Sequence, residues 1–218
     1  MAPEQDPDAR LMLRVQRGDR AAFETLIEKY QQPVMNLVYR MIGDLQESED
    51  LCQNVFIQVH KSAHRYRVTA RFSTWLYTIA RNLCLNELRR RKRHPAESLD
   101  ANPVEQENYS RHHQLVDTTS PSPPDACLLT ELEERIHQAL AALPETQRTA
   151  ILLCRQQDLS YEQIAEILGC SVSAAKSLIH RARESLRQWL KPYLHTGDWP
   201  GANSPANPSL ADPNTPRK

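Results

Sequence analysis

The chain has 218 residues, a length that corresponds to one or two domains. Its 27 Lys and Arg residues equal its 27 Asp and Glu residues, so the net charge does not select a class of partner. The chain has only five glycines and few runs in which β-branched residues alternate with polar ones. This composition argues against a sheet protein and predicts an all-helical fold.

No apolar run approaches the roughly 20 residues that a membrane-spanning helix needs, and the first ten residues, MAPEQDPDAR, are polar. We therefore expect a cytoplasmic protein without a signal peptide or membrane insertion. The five cysteines show no CxxC or HxxC spacing, which favours reduced thiols and leaves a redox or metal site as the alternative. These cysteines are Cys52, Cys84, Cys127, Cys154 and Cys170.

Charge is unevenly distributed along the chain. Residues 89–93 read RRRKR, whereas residues 97–125 are acidic, with Arg111 as the opposing charge. Blocks of opposite sign indicate a surface that binds a polyanion and a segment that avoids or imitates one.

The first two predicted helices carry clear boundary signals. The first helix begins after Asp6 and ends at Gly18, and Asp19 caps the second helix, which ends at Gly43. Pro33 lies inside the second helix and predicts a kink. The apolar residues of this helix repeat at three- and four-residue steps, which is typical of a core-facing stripe. The stripe consists of Phe23, Leu26, Ile27, Tyr30, Val34, Leu37, Val38 and Met41.

A third helix begins after Asp44, with Glu47 at the position of a reciprocal cap. Its predicted inner face consists of Leu51, Cys52, Val55, Phe56 and Val59. Its outer face consists of Glu49, Asp50, Gln53, Asn54 and Gln58. From the residues alone, this polar row indicates ordinary solvated surface.

A basic loop precedes the fourth predicted helix, which runs from Ser73 to about Arg93. The loop, residues 64–71, reads HRYRVTAR, and arginines next to an aromatic ring suit unstacked bases and their phosphates. Tyr66 could either pack in the core or stack on a DNA base, whereas Phe72 and Trp75 are expected in the core. The loop arginines are Arg65, Arg67 and Arg71, and the helix adds a positive ridge of Arg81, Asn82, Arg89, Arg90, Arg91, Lys92 and Arg93.

Residues 95–124 are predicted to be a flexible acidic linker because five prolines and many polar residues cannot bury enough apolar area to offset ordering entropy. Residues 195–218 are likewise predicted to be a disordered tail, in which Trp199 is the one candidate for docking. Between them, a second helical unit is predicted over residues 125–194.

This second unit contains the most specific pattern in the chain, residues 158–189. Ser160 and Gln163 predict a capping box, Gly169 ends that helix, and Ser171 caps the next one, which together predict a helix-turn-helix. The buried stripe of its second helix is Val172, Ala175, Ile179, Ala182 and Leu186. The residues predicted to face the DNA major groove are Ser173, Lys176, Ser177, His180 and Arg181. The alternative is the solvated face of an ordinary helical core.

Three blocks occur in order on either side of the predicted linker: DLCQNVFIQVHKS, RFSTWLYTIARNLCLNELRRRKR and IAEILGCSVSAAKSLIHRAR. In combination they resemble the extracytoplasmic-function (ECF) group of sigma-70 family transcription initiation factors, over Asp8 to about Leu190. The resemblance implies two helical domains on a flexible tether: sigma region 2 at 8–94 and sigma region 4 at 125–194. It also implies partners: bacterial core RNA polymerase, promoter DNA and, commonly in this group, an anti-sigma factor that nothing in these residues identifies.

The same resemblance implies roles for individual residues. The third helix is expected to contact the clamp coiled coil of the largest polymerase subunit, and region 4 the polymerase flap. The expected polymerase-binding residues are Asp50, Gln53, Asn54, Phe56 and Gln58. The expected −10 residues are Arg65, Tyr66, Arg67, Arg71, Asn82, Arg89 and Arg90, and the expected −35 residues are those of the helix-turn-helix face.

Two positions depart from the family pattern. Val68 stands where the family commonly has glycine, which predicts another loop shape and another preferred −10 sequence. Leu178 stands where arginine is usual, which removes one cation from the expected −35 contact.

Two rival functions follow from the residues. A stand-alone helix-turn-helix regulator would normally dimerise, and the chain shows no heptad repeat. An enzyme would need a nucleophile with a base, a phosphate-binding glycine loop or metal-ligand spacing, and none is evident. We therefore expect no catalytic residues, no metal and no cofactor.

Overall fold

The computed structural model describes residues 6–93, 123–156 and 159–196, without the side chains of residues 123–131 and 192–196. These residues form α-helices, one 3₁₀ turn and no strand, which confirms the all-helical prediction. Most of the predicted linker and tail, including Trp199, lies outside the described residues, as does the side chain of Cys127.

The first helical unit consists of α1 (Pro7–Gln16), α2 (Arg20–Ile42), α3 (Leu45–Ser62), a 3₁₀ turn (Ala63–Arg65) and α4 (Phe72–Arg93). Helix α2 lies at its centre and packs against α1, α3 and α4.

The predicted helix starts are confirmed by their hydrogen bonds. The Asp19 carboxylate accepts from the backbone N–H of Ala22 at 3.1 Å, and the Asp44 carboxylate accepts from that of Glu47 at 2.8 Å. Each bond satisfies a backbone donor that the first turn of a helix leaves without a partner. Gly43 ends α2 in the left-handed conformation, with φ of 84°.

Pro33 does not interrupt α2, which continues to Ile42. An interior proline removes one hydrogen bond and costs about 3 kcal/mol, so the helix must be held by its packing. Val34 and Leu37, on the turn after the proline, are completely buried at 0% and 1% exposure. The burial of this stripe offsets the loss at Pro33.

The second helical unit carries the predicted helix-turn-helix. Its elements are α5 (Pro123–Ala141), α6 (Glu145–Cys154), α7 (Tyr161–Leu168) and α8 (Val172–Thr196). Helix α5 begins two residues before the predicted start of this unit at residue 125, with prolines in its first turn, where their missing N–H costs nothing. Helix α8 extends beyond Trp189, the end of the predicted pattern.

The two units pack against each other, α7 on α4 and α6 on α2, although the resemblance implied units on a flexible tether. The contacts join residues that lie far apart in the sequence, so no local sequence pattern predicts them. They include Tyr77 Oη to Gln156 Oε1 at 3.2 Å, Gln163 Nε2 to Thr74 Oγ1 at 3.2 Å, and Arg148 Nη1 to the Met41 carbonyl at 3.1 Å.

His137 of α5 lies at this interface, with its ring centroid 5.0 Å from that of Tyr39 in α2. A Cβ atom at Gly43 would lie only 3.2 Å from Cε1 of the imidazole, so the glycine gives the ring its space. The His137 Nε2 atom is buried and has no hydrogen-bond partner in the described part of the chain. The pKa of His137 lies below its ordinary value of 6.5 because burial disfavours the charged ring and because Arg40 and Arg148 repel a proton.

We expect acidification to loosen the contact between the two units. A lowered pKa in the packed state means that the separated state binds more protons, so the His137 contribution is fully present above about pH 6.5 and is lost below it. Small-angle scattering at about pH 7.5 and about pH 5.5 should show expansion of the wild type at the lower pH. His137→Phe keeps the ring contact and removes the titration, so its dimensions should change less. Equal expansion of both proteins would contradict a role for His137.

Candidate nucleic-acid interface and partner groove

Local hydrogen bonds fix the helix-turn-helix. The Ser160 backbone N–H donates to Gln163 Oε1 at 2.8 Å, and the Gln163 backbone N–H donates to Ser160 Oγ at 3.4 Å, which completes the predicted capping box. Gly169 adopts the left-handed conformation with φ of 68°, and Ser171 Oγ accepts from the Ala174 backbone N–H at 3.2 Å. The direction of α8 is therefore set by the turn.

One face of α8 is buried and the opposite face forms an open concave surface. Ala175, Ile179 and Ala182 are at most 2% exposed, which fixes the rotation of the helix about its axis. The surface has a volume of about 650 Å³ and is lined by the five residues predicted from the sequence: Ser173, Lys176, Ser177, His180 and Arg181. The structure thus brings this whole predicted set together.

Tyr161, which the sequence analysis did not single out, lies next to this surface. It is 38% exposed, and the Lys176 ammonium lies 5.4 Å from its ring centroid. Such a cation–π contact restrains a long, flexible lysine side chain. An aromatic residue directly after the Ser160 cap, on a polar face, is the signal that could have revealed it.

The basic loop places its arginines differently from its tyrosine. Arg65 and Arg67 are exposed, and Arg71 is partly buried. Tyr66 is only 4% exposed and packs on Trp75 with centroids 4.9 Å apart. Its hydroxyl is buried and has no hydrogen-bond partner among the described residues, and burial raises the pKa of Tyr66 to about 12. The structure therefore places Tyr66 in the core, and base stacking would require the ring to leave this cluster.

Val68 is compatible with this loop. Every non-glycine residue in the described part of the chain has a negative φ, so position 68 does not require glycine here. The Val68 side chain packs, partly buried, against the core.

The predicted basic ridge at the end of α4 divides into exposed and inward-facing side chains. Arg89 is exposed, as is Asn82, whose amide oxygen accepts from Arg81 at 3.3 Å. Arg90 forms an ion pair with Glu87 at 3.0 Å, which partly neutralises it.

Arg91, by contrast, turns inward and does not extend the ridge. Its side chain is 20% exposed, contacts the Glu47 carboxylate and donates to the Ile42 carbonyl at 2.9 Å. Glu47 therefore pairs with Arg91, and the capping interaction at the start of α3 comes from Asp44 alone. The run of basic residues predicted Arg91 on the positive ridge, whereas its side chain instead donates to a carbonyl at the C-terminal end of α2.

A partly apolar groove of about 710 Å³ lies on the surface between α2 and α3 and is lined by residues of both helices. Gln53 and Phe56 from the predicted partner-binding set line it, and Phe56 is 7% exposed. Ile57 also lines the groove and is 47% exposed. This apolar side chain interrupts the polar outer row of α3 and was not predicted from the sequence. The other predicted residues, Asp50, Asn54 and Gln58, are exposed on α3 outside the groove lining.

The four described cysteines lie in buried or partly buried positions. Cys52, predicted on the inner face of α3, is buried, as is Cys84; Cys154 and Cys170 are partly buried, and all four are free thiols. Burial raises the pKa of Cys52 to about 11, which keeps this thiol protonated at neutral pH and therefore unreactive. Among the described residues, no cluster of three His, Cys, Asp or Glu side chains is arranged to hold a metal. None of the described helices is both long and apolar enough to cross a membrane.

Two family models match the chain, one in each helical unit. The model for sigma-70 region 2 matches residues 26–94, and the model for sigma-70 region 4 matches residues 133–186. The first match includes α3, the basic loop and α4, and the second includes the helix-turn-helix.

Curated relatives match over nearly the whole of their length. The chain is 40% identical over 190 residues to the RNA polymerase sigma-H factor of Pseudomonas aeruginosa, which covers 87% of this chain and 97% of that protein. It is 36% identical over 178 residues to the ECF RNA polymerase sigma factor SigW of Bacillus subtilis, a match that covers 82% of this chain and 94% of that protein. It is also 36% identical over 193 residues to the ECF sigma-E factor of Escherichia coli, covering 88% and 98%.

Solved structures share the fold. CnrH in complex with the cytosolic domain of CnrY matches with a TM-score of 0.63 and 20% identity, over 86% of this chain and 99% of that one. RpoE of Bartonella quintana in complex with the anti-sigma factor NepR matches with a TM-score of 0.59 and 24% identity, over 78% and 96%. Together with the family models and the relatives, the two helical units show that this chain belongs to the ECF group of sigma-70 family RNA polymerase sigma factors.

Proposed function

We propose that this sigma factor directs transcription initiation through three surfaces: the α8 face reads the −35 element, the basic loop and α4 hold the −10 element, and the groove between α2 and α3 binds core RNA polymerase. The observation that carries the proposal is the α8 surface, where five polar and cationic residues converge opposite the buried Ala175, Ile179 and Ala182.

The α8 face suits direct readout of bases. The major groove admits one helix, and the residues near the start of the inserted helix meet the base edges. Lys176, His180 and Arg181 lie on the exposed side in this part of α8, and Tyr161 orients Lys176 beside them. A good bidentate contact from Arg181 to a guanine would discriminate by about 1–3 kcal/mol.

The basic loop and the end of α4 suit single-stranded DNA and phosphates. Arg65 and Arg67 in the loop and Arg89 near the end of α4 are exposed. Each phosphate that an arginine neutralises adds affinity through counterion release and carries no sequence information. Unstacking one base costs a few kcal/mol, and binding the unstacked base offsets this cost. The duplex therefore shifts towards the open form without hydrolysis of a nucleotide by this chain.

The groove between α2 and α3 suits a helical partner such as the clamp coiled coil of the largest polymerase subunit. Ile57 offers an exposed apolar anchor, and Gln53 and Asp50 supply a polar rim beside it. An apolar centre with a polar rim is typical of protein interfaces. The second unit would meet the polymerase flap.

Regulation and location complete the proposal. One neighbouring structure contains an anti-sigma factor, and we extend that kind of partner to this chain. The protein would act in the cytoplasm, with the polymerase, as an initiation factor and not as an enzyme.

In vitro transcription with core polymerase on a pool of promoter fragments, followed by sequencing of the transcript starts, tests the proposal. The chain should confer a restricted set of start sites that share two upstream elements. Failure to bind core polymerase or to select start sites would overturn the proposal. Tight binding of the chain alone to a palindromic duplex would favour a stand-alone regulator.

Replacing Arg181 with alanine should reduce transcription from promoters with the cognate −35 element by roughly 5- to 150-fold, the range that one base contact supports. Promoters with a scrambled −35 element should change little. Arg187→Ala is the matched control, because Arg187 lies on the same helix and pairs with Glu184 at 2.7 Å. Equal loss on both promoter types would contradict base readout by Arg181.

Replacing Asp50 and Gln53 together with alanine should abolish binding to core polymerase, measured by titration of a labelled chain, while circular dichroism stays unchanged. Ile57→Ala alone should weaken binding by about fivefold, since a half-exposed isoleucine has roughly 1 kcal/mol left to gain from burial. The control is Glu28→Ala with Gln188→Ala, two exposed side chains outside the groove. Unchanged binding in the first two variants would remove the groove from the polymerase interface.

A further inference from the structure

Helix α1 lies outside the matched region 2, which begins at residue 26, yet it contacts the basic loop at both ends. It packs against α2, the 3₁₀ turn and α4. Its side-chain contacts with the loop are made by two residues that the sequence analysis did not assign to any function, Gln16 and Asp6.

Gln16, the last residue of α1, holds the start of the loop. Its Nε2 atom lies 3.1 Å from the Ala63 carbonyl, 3.2 Å from that of His64 and 3.3 Å from that of Tyr66. Carbonyls just beyond a helix end have no partner within the helix, and a side-chain amide has two N–H donors to offer them. One exposed side chain therefore ties together the backbone turn that leads from α3 into the loop.

Asp6 holds the end of the loop. Its Oδ1 atom accepts from the Asp8 backbone N–H at 3.1 Å, which caps α1, and its Oδ2 atom accepts from the Phe72 backbone N–H at 2.8 Å, which caps α4. Asp6 is 6% exposed, so these bonds are shielded from water. A carboxylate between two helix N-termini is also stabilised by both helix dipoles.

The exposed arginines of the loop lie between these two fixed points. Arg67 is exposed, whereas Tyr66 beside it is held in the aromatic cluster with Phe72 and Trp75. Fixing the backbone of one loop residue costs about 1–2 kcal/mol of conformational entropy, and a loop that is already ordered does not incur this cost on binding.

We propose that α1 is the positioning element of the −10 loop: Gln16 and Asp6 hold residues 66–71 in the arrangement that discriminates the −10 bases, without touching the DNA themselves. The proposal rests on the −10 role of the loop proposed above. Because the effect concerns loop geometry, loss of Gln16 should reduce discrimination between −10 bases and should leave −35 readout and polymerase binding intact.

The test uses holoenzyme reconstituted from the full chain and core polymerase. The template is the promoter most strongly used in the pooled transcription experiment, in wild-type form and with single base changes across its −10 element. The measured quantity is the ratio of transcription from the two templates. General destabilisation lowers both rates and leaves the ratio unchanged, whereas a misplaced loop lowers the ratio.

For wild-type protein, the most sensitive −10 base should give a ratio of roughly 5- to 150-fold, the usual cost of one mismatched base. Gln16→Ala should reduce this ratio at least threefold. Gln16→Glu keeps the size of the side chain, replaces the donor with a carboxylate facing three carbonyls, and should reduce the ratio at least as much. Gln188→Ala is the matched control, because the Gln188 amide donates to Glu184 at 3.3 Å on the surface of α8 and makes no other hydrogen bond to the described residues.

A wild-type ratio retained in Gln16→Ala, or in Gln16→Glu, would overturn the positioning role, because neither variant can donate these hydrogen bonds. A wild-type protein that shows no discrimination at any −10 base would instead overturn the −10 role of the loop itself. Equal loss of discrimination at the −35 element would also count against α1, since it would indicate a global defect.

Discussion

The C-terminal end of α2 is the constraint on which both helical units depend. A helix ends with carbonyls that have no partner within it, and buried carbonyls need donors. Here the Ile42 carbonyl accepts from Arg91 of the same unit at 2.9 Å, and the Met41 carbonyl accepts from Arg148 of the other unit at 3.1 Å. One helix end therefore completes the fold of the first unit and holds the second unit against it.

This arrangement also makes the contact between the units reversible. Once the units separate, water can take the place of Arg148 at the Met41 carbonyl, and it can likewise replace other polar contacts such as Tyr77 to Gln156. The proposed DNA elements lie about 25 base pairs apart, or about 85 Å along B-form DNA. A compact body of the described size is only roughly 40 Å across, so it cannot cover both elements while closed.

The features that the sequence predicted correctly are those that local interactions decide. Asp19, Asp44, Ser160 and Gly169 act within three or four residues of their own position, so their caps could be read directly. The α8 face was predictable for the same reason, because one buried stripe on one helix fixes which residues point outwards.

The sequence did not predict features that join distant segments. Gln16 meets carbonyls 47 to 50 positions away, and Arg91 meets Glu47 across 44 positions, so neither partnership leaves a periodic signal. The same reason explains Arg91 in the predicted ridge: a run of arginines indicates charge, but only packing decides which one turns inward. Tyr66 had two open interpretations from its sequence neighbours, and the aromatic cluster with Trp75 decided its placement.

One of the two departures from the family pattern, Leu178, lies on the helix that carries the proposed −35 surface. Leu178 lies partly buried against the core on the flank of α8, so the chain exchanges a cation for apolar packing and keeps the orientation of the helix. Fewer cations at the −35 element mean less counterion release and a shallower dependence of affinity on salt. In the −35 contact proposed for this protein, the loss of one cation would shift the balance from phosphate attraction towards base readout by Lys176, His180 and Arg181. Those three residues line one surface opposite the buried Ala175, Ile179 and Ala182, so substitutions there would leave the packing of α8 in place.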